Sequence, residues 1–557
     1  ILDLERIEVL RGPQGSLYGR NSSSGAINFV TAKPAEEFGG KISFGGGNYG
    51  ARNVSATLDL PLSDTFRTKF SVLRTNFDGW VDNQGPNDTE GAPTNNYYLK
   101  EQEAVRFAAQ WTPNDNVTID YSFDASDIDS TPMYFQTEVG QRVENSANAN
   151  VPLPGFAFSV PLSTNENLGH ALTLTWDVSD HMTFKSVSGY REMDEDVTQS
   201  WPDSLFFGTN LIWGTEQYSQ EFQLSSEGET LRWIAGLYYF KEDGVKEEEQ
   251  FLGFVQDVAP PFGPPLFALD PLLPSLRGAP ADFLNPTQGG TSLGVSNITS
   301  ELESTAAYFQ GSYTVSDSLE LTAGVRYTED ERSAQRGGTN FGFAPGANNL
   351  DYSRVDWNVT VDFNFSDDVS AYARVATGYR AGGSSERDID FARTFNEESL
   401  IAYELGFKSQ FWGNRARFNA AVFMSDYDDF ITTLGSLDPQ FAATIETVNV
   451  GEVTISGAEM DLTIQLAEFS AFAASYTYLD TELEDFIVPQ DSFLKSPPAN
   501  FGQDFRGQDI SGDISLVQAP RHAFTVSADH GMRLPNDSVV NLHLDWIYRT
   551  EVNSNPN

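Results

Sequence analysis

The chain carries 79 acidic side chains, 34 lysines and arginines, five histidines and no cysteine. Thiol catalysis, disulfides and Cys-ligated metals are therefore outside its chemistry. Asp426, Asp428 and Asp429 crowd together in SDYDDF. Hard carboxylate oxygens at that spacing suit Ca²⁺, and the same run also suits a solvated strand end entering a loop. Glu242, Asp243, Glu247, Glu248 and Glu249 form a second acidic stretch, expected to be a solvated outer loop rim. His522 and His530 lie on one strand pattern, too far apart to share a metal unaided, and the other histidines are scattered. No metal site is expected. Carboxylate pairs for glycoside hydrolysis can be drawn anywhere among so many acids, so no single pair is informative. Arg374, Arg380, Arg387, Arg393 and Arg415 run along one stretch together with Tyr372 and Tyr379. A basic, aromatic face of this kind suits an anionic or stacking ligand, with Arg374, Arg380, Tyr372 and Tyr379 as its candidate contacts. The plainer alternative is a wall of compensating charge. A Gly-rich run at 12–19 hints at phosphate binding, but the Gly-Lys-Ser/Thr and helix that give such loops their grip do not follow.

Charge and composition close off several classes. The formal net charge is −45 and the pI about 4.2. Such a field repels a phosphate backbone, which excludes nucleic acid as a partner. With 41 Phe, 21 Tyr and 9 Trp the chain is too rich in apolar rings for a disordered tail. No window approaches the roughly 18 consecutive apolar residues of a membrane helix. A transmembrane β-barrel is compatible with the mean hydropathy of −0.35, because its strands alternate.

The elements that must position any site have a period of two. Leu319, Leu321, Ala323, Val325 and Tyr327 alternate with Glu320, Thr322, Gly324 and Arg326. Val359 to Phe365, Ala416 to Val422 and Val540 to Trp546 repeat the pattern. Each describes a strand with one apolar and one polar face. Short connections built from Asp, Asn and Ser, such as 62–64, 113–116, 179–181, 316–318, 366–368 and 412–415, favour tight turns. Long polar connections alternate with them, at 78–100, 130–167, 194–214, 244–300, 333–351, 382–398, 432–452 and 481–520. The longest contains Pro260-Pro261 and Pro264-Pro265. Strict alternation of short and long places every second strand end on one side, the form of a transmembrane barrel. Strands of about 10–13 residues exceed those of soluble sheets and suit a tilted membrane crossing. Trp80, Trp111, Tyr190, Trp357, Trp412 and Tyr548 near strand ends fit interfacial girdles. A soluble sandwich array or propeller is the alternative. We read the chain as all-β: a large transmembrane antiparallel β-barrel with about nineteen strands present. It starts at Ile1 without an initiator Met and ends at Asn557 just after a strand pattern, so a fragment is expected.

At 7–34 the sequence reads IEVLRGPQGSLYGRNSSSGAINFVTAKP. It resembles the C-terminal end of the plug domain of TonB-dependent outer-membrane receptors. RWIAGLYYF, LTAGVRYTEDERS, VATGYRAGG, LIAYELGFKSQF and VGEVTISGAEMDL resemble that family's barrel and follow in its order. The resemblance implies a plug remnant at 1–36 inside a barrel at 37–557. It implies a complete barrel of about 22 strands, with about three missing here. It implies energised uptake of a scarce nutrient across the outer membrane of a Gram-negative bacterium. The most expected ligand is a ferric siderophore; carbohydrate, vitamin B12, haem or another organic nutrient are alternatives, and a passive porin-like channel is more remote. The implied partners are the TonB–ExbB–ExbD complex, reached through a TonB box outside this chain, and outer-membrane lipid. Catalysis and a cofactor are not implied, although a secreted β-rich enzyme is a third class to weigh. In the family, plug arginines pair with barrel glutamates. By motif, Arg11 matches the plug arginine, and Glu404 and Glu459 match the barrel glutamates. Glu404 also interrupts the apolar stretch Leu400-Ile401-Ala402-Tyr403, which should turn it toward the lumen.

Two outcomes are expected. The protein partitions with detergent or lipid, and extraction into plain buffer would support the soluble alternative. Protease added to intact cells cuts within 244–300, and full protection of that segment would reverse the topology.

Overall fold

The computed structural model describes residues 2–81, 96–132, 162–200, 208–252, 291–340, 344–386, 388, 391–436, 444–490, 506–512, 515–535 and 538–552. Arg387, both Pro-Pro pairs and the middle of the connection 244–300 lie outside them.

The chain opens with a small unit of its own. β1 (Leu4–Arg11) and β2 (Gly25–Thr31) pair antiparallel, with one helical turn, α1 (Gly15–Tyr18), between them. The next strands are β3 (Gly39–Gly46), β4 (Arg52–Ser63), β5 (Phe66–Phe77), β6 (Lys100–Asn114), β7 (Val117–Ser130) and β8 (Ser163–Ser179). They continue with β9 (Met182–Ser200), β10 (Gly208–Glu227), β11 (Leu231–Leu252), β12 (Thr291–Ser316), β13 (Leu319–Asn340), β14 (Gly346–Ser366) and β15 (Val369–Arg380). A separate two-residue pair follows, β16 (Gly383–Ser384) with β17 (Thr394–Phe395). The sheet then resumes through β18 (Glu398–Phe411), β19 (Ala416–Ser436), β20 (Thr444–Ala467), β21 (Ser470–Glu484), β22 (His522–Arg533) and β23 (Val539–Arg549). Among the described residues nineteen strands, β3–β15 and β18–β23, form one closed barrel in chain order. Successive neighbours are antiparallel and β15 pairs directly with β18. Nineteen is odd, so β3 and β23 run in the same direction where the ring meets. Every residue of β23 is exposed.

The short turns share one local chemistry. Ser63, Ser179 and Ser366 each accept a hydrogen bond at Oγ from the backbone N–H two residues on, and Asn114 does the same through Oδ1. The side chain thus stands in for the missing ladder partner. The ladder slips by one residue beside the same turns, between Pro61 and Ser63, Asp177 and Ser179, and Asn364 and Ser366.

The faces are inverted relative to a soluble protein. On β13, Leu321, Val325 and Tyr327 are exposed, while Arg326 is 4% and Asp330 1% exposed. β14 repeats this, with Val355, Trp357 and Val359 outside and Asp356 and Asn358 buried inside. Only lipid makes an exposed apolar band favourable all around a barrel. No described helix is long and apolar enough to cross a membrane.

Several strands are longer than the sequence pattern indicates. Hydrogen bonding continues through most of the expected connections 194–214, 333–351 and 432–452, where β9, β10, β13, β14, β19 and β20 extend well past the apolar band. Asp243, Glu247 and Glu249, expected on a loop rim, are strand residues of β11 that share a face with exposed Leu237 and Val245; Glu242 and Glu248 take the other face. Tyr190 and Trp357 accordingly stand within strands rather than at their ends. The physical reason is that the outer face stops being apolar where lipid ends, although backbone pairing does not.

Placing arginine at outward Val325 is expected to cost about 2–4 kcal/mol in lipid. The same residue at Ser527, on the lumen-facing side of β22, is expected to cost far less. Reversible denaturation in vesicles compares the two, and equal costs would contradict the assignment of faces.

Candidate functional site: the polar interface between residues 3–36 and the barrel wall

Inward-facing side chains from three separate arcs of the wall converge on the opening unit. On the first arc, the partly buried Asp3 carboxylate lies 3.1 Å from Lys69 Nζ and 3.9 Å from Arg106 Nη1, and Ser71 Oγ donates to it at 3.2 Å. Arg106 also donates to Thr31 Oγ1 at 2.7 Å and to the Ala32 carbonyl at 3.2 Å. Lys33 Nζ sits 3.0 Å from Asp120. These partners belong to β5, β6 and β7.

On the second arc, Arg11 pairs with Glu459 of β20 and lies 3.6 Å from Asp461. Two strand positions separate those carboxylates, so both face the lumen. Arg11 is 57% exposed at its side chain. An ion pair so open to water is worth at most about 1 kcal/mol.

On the third arc, α1 and its flanks rest on β12–β15. Asn358 donates to Ser16 Oγ, and Arg326 Nη1 donates to the Leu17 carbonyl at 3.3 Å. Arg374 Nη2 donates to the Pro13 carbonyl at 2.6 Å, and the Asn21 N–H donates to the Tyr379 carbonyl at 3.0 Å. Behind these contacts is a buried charged cluster. Tyr379 donates to Asp330 at 3.1 Å, Thr377 donates to Asp356 at 3.1 Å, and Arg354 donates to Glu397 at 3.1 Å. Asp356 is fully buried. Arg20 Nη1, Asp330 Oδ1, Arg332 Nε, Arg354 Nε, Asp356 Oδ2 and Glu397 Oε2 have no hydrogen-bond partner among the described residues. Buried charges with incomplete bonding add little stability, but removing any one of them leaves another uncompensated.

The described part of the segment 381–397 (381–386, 388 and 391–397) lies against this cluster. It accepts hydrogen bonds from Arg332 at the Gly382 carbonyl and from Tyr352 at the Phe395 carbonyl. Its Ser385 Oγ accepts from the Thr447 N–H, and its Asn396 N–H donates to Asn449. It meets the opening unit where the Ala381 N–H donates to Asn21 Oδ1 at 3.3 Å. The segment therefore ties β13 and β14 to β20 across the unit's end.

Of the residues singled out from sequence, Arg11 and Glu459 are brought together. Glu404 faces the lumen but accepts its hydrogen bond from Tyr372, and it lies beside Gly12 rather than on Arg11. Arg374 and Tyr379 are turned onto the opening unit and the buried cluster. Arg380 is exposed, opposite Glu398 across the ladder. Arg393 joins Glu446 and Asp388, and Arg415 caps the Gln465 and Leu466 carbonyls at a short turn. These arginines thus occupy different parts of the barrel. Asp426 accepts from Thr454 on the outer face, while Asp429 takes positive φ and its carbonyl accepts from Asn449. Among the described residues no group of three or more His, Asp or Glu is arranged for a metal ion. His522 and His530 bond to Tyr476 and Ser470. Within the opening unit, Arg6 and then Asn28 hold the Glu8 carboxyl below its usual range.

Asp3, Lys69, Arg106, Asp330 and Asp356 are not singled out by the sequence, and Arg326 stands out there only as one polar residue of the alternating strand 319–327. Their strand parity marks the barrel residues among them as inward, but so does that of many other charges.

Residues 15–557 match the family model described as TonB dependent receptor-like, beta-barrel. The probable TonB-dependent siderophore receptor PiuA of Acinetobacter baumannii is 22% identical over 516 residues, covering 86% of this chain and 65% of that one. The pesticin receptor of Yersinia pestis is 24% identical over 476 residues, covering 83% and 61%. This chain thus spans less than two thirds of either relative. The crystal structure of the ferric yersiniabactin uptake receptor FyuA from Yersinia pestis superposes with a TM-score of 0.74 at 18% identity, covering 98% of this chain and 73% of that one.

Arg11→Ala or Glu459→Gln is expected to raise the frequency of channel openings in a planar bilayer up to about fivefold, in line with an exposed pair worth at most about 1 kcal/mol. Glu404→Gln is expected to change it less. A larger effect at Glu404 than at Glu459 would contradict this reading of the contacts.

Proposed function

This chain belongs to the TonB-dependent receptor-like β-barrel family, and on that premise we propose that it works as an energised outer-membrane importer whose lumen is closed by residues 1–36, the C-terminal part of a plug. Members of this family are transport receptors, not enzymes, integral to the outer membrane of Gram-negative bacteria. The observation that carries the proposal is the occupied lumen. A wide barrel is a leak unless something fills it. Here the filling is held by polar contacts to three arcs of the wall, one of them an exposed ion pair that opens at low cost. Such a closure supports ligand-gated, energy-driven passage over free diffusion.

The cargo proposed is a ferric siderophore. Support comes from the relatives: a probable siderophore receptor, a pesticin receptor and a ferric yersiniabactin uptake receptor. The energy source proposed is the TonB–ExbB–ExbD complex, engaged outside the residues of this chain. Arg11 with Glu459 forms the releasable lock in this reading, with Glu404 beside it. Of the four candidate ligand contacts, Arg380 remains the exposed one. Arg374 and Tyr379 serve the closure itself, and Tyr372 is taken up by Glu404.

The test is uptake by the full-length protein in an outer-membrane host under iron limitation, with and without a working TonB. Saturable uptake of a labelled ferric siderophore that disappears without TonB is expected. TonB-dependent uptake of some other nutrient would overturn the cargo, and uptake indifferent to TonB would overturn the mechanism.

A further inference from the structure

The opening unit is held unequally along its length. At Arg11 the contact is a solvated ion pair. At α1 it is buried. The Arg326 guanidinium lies 5.4 Å from the centre of the Tyr238 ring and 5.6 Å from that of Tyr308. Its Nε donates to Thr328 at 3.1 Å, and its Nη1 donates to the Leu17 carbonyl at 3.3 Å. Tyr308 is itself fixed by donating to Glu221 at 2.6 Å. The wall therefore presents an arginine held over two tyrosine faces, with its free edge aimed at the end of the helical turn. A desolvated cation over aromatic faces is worth more than an exposed one.

The opening unit is shaped to receive it. Gly19 takes φ of 77°, and a Cβ there would come within 2.9 Å of Arg326 Cζ, Nε and Nη2. A side chain here would have to displace the guanidinium, and the left-handed backbone would be strained as well. Ser16 is buried against Asn358, which is held in turn by Gln310 at 3.1 Å. The sequence pieces that meet here are GSLYG of the opening unit and AGVRY of β13, far apart in the chain.

We propose that Arg326, framed by Tyr238 and Tyr308, is a positioning residue: a socket on the barrel wall in which the α1–Gly19 turn stays seated while the Arg11 end swings away to open the lumen. The inference rests on the reading that residues 1–36 must move for passage. It adds which end moves and which residue holds the other. The opposite polarity of the two attachments fits this division. The lock places an arginine of the opening unit on wall carboxylates, whereas the socket places a wall arginine on a backbone carbonyl that no titration or side-chain rotation can withdraw.

These 557 residues hold no cysteine, and any cysteine elsewhere in the full-length protein is replaced by serine, so that engineered pairs are bridged without background. Two double variants of the full-length protein are compared, Arg11→Cys with Glu459→Cys and Ser16→Cys with Asn358→Cys. Each is bridged by a reductively cleavable bis-thiosulfonate of matched length. Opening is read as single-channel conductance in planar bilayers with sub-denaturing urea, which needs neither cargo nor TonB. Heat-modifiable migration in gels confirms a folded barrel. Each variant is compared with itself before and after reductant. Bridging the first pair is expected to suppress opening about tenfold or more, and bridging the second to change it less than about twofold. Suppression by the Ser16–Asn358 bridge as strong as by the other would overturn the proposal, because the whole unit would then leave together. Suppression by neither bridge would overturn it as well. Arg326→Ala and Arg326→Lys give a second readout. Both are expected to raise opening more than Arg11→Ala does while the barrel stays folded, because lysine keeps the charge but lacks the planar fork. Rescue by lysine to the parental level would reduce the socket to simple charge. A failed uptake assay with normal conductance results would count against the cargo proposed above and leave the socket standing.

Discussion

A β-sheet in lipid has to satisfy every backbone amide within itself, and closing the sheet into a ring is the way to do so without an edge. Most of the architecture depends on that constraint. The nineteen strands among the described residues enclose a lumen too wide for wall side chains to fill, so a separate piece of chain has to occupy it. The outer face is given over to Leu321, Val325, Val359 and their like, so the inner face is where Arg326, Asp330 and Asp356 must go. Whatever fills the lumen therefore meets a polar wall. Its attachment is made of hydrogen bonds and ion pairs rather than an apolar core.

Polar attachment can be graded by burial alone. Asp3 with Lys69 and Arg106, and α1 with Asn358 and Arg326, lie out of solvent, whereas Arg11 with Glu459 does not. The same chemical groups thus give contacts of different strength within one small unit. The segment 381–397 extends this polar framework upward by tying β13 and β14 to β20 over the unit's Asn21 end. A local displacement of the unit is therefore shared with strands on more than one arc of the barrel.

Period-two alternation in 319–327, 359–365 and 416–422 is enough to read the barrel from sequence, and Ser- and Asp-rich turns are enough to read its short connections. Strand length is less legible. Alternation of apolar and polar residues reports the boundary between lipid and water, and above Tyr327 the outward positions become Glu329 and Glu331 while pairing runs on to Asn340. A chain can leave the membrane without leaving the sheet, and hydropathy records only the first event. The site shows a similar division. The motif around Arg11 points to Glu459 because both lie in stretches with a family signature. Asp330 and Asp356 carry no such signature. Parity assigns them to the lumen, yet nothing in a strand pattern states which of many inward charges will lie opposite a given turn of the opening unit. Glu404 illustrates the limit: its inward direction is legible, whereas its partner, Tyr372, is fixed only by the register of β15 against β18.

The contacts that seat the opening unit also join residues very far apart along the chain. Arg11 meets a side chain 448 positions away, Ser16 one 342 positions away, and the Leu17 carbonyl a donor 309 positions away. Loops of that length carry a large closure entropy and make folding slow. The unit precedes every strand that surrounds it, and a finished ring offers no side entrance. Its capture is thus a threading problem in time: the β1–β2 hairpin has to be held among the growing strands before the ring around it closes.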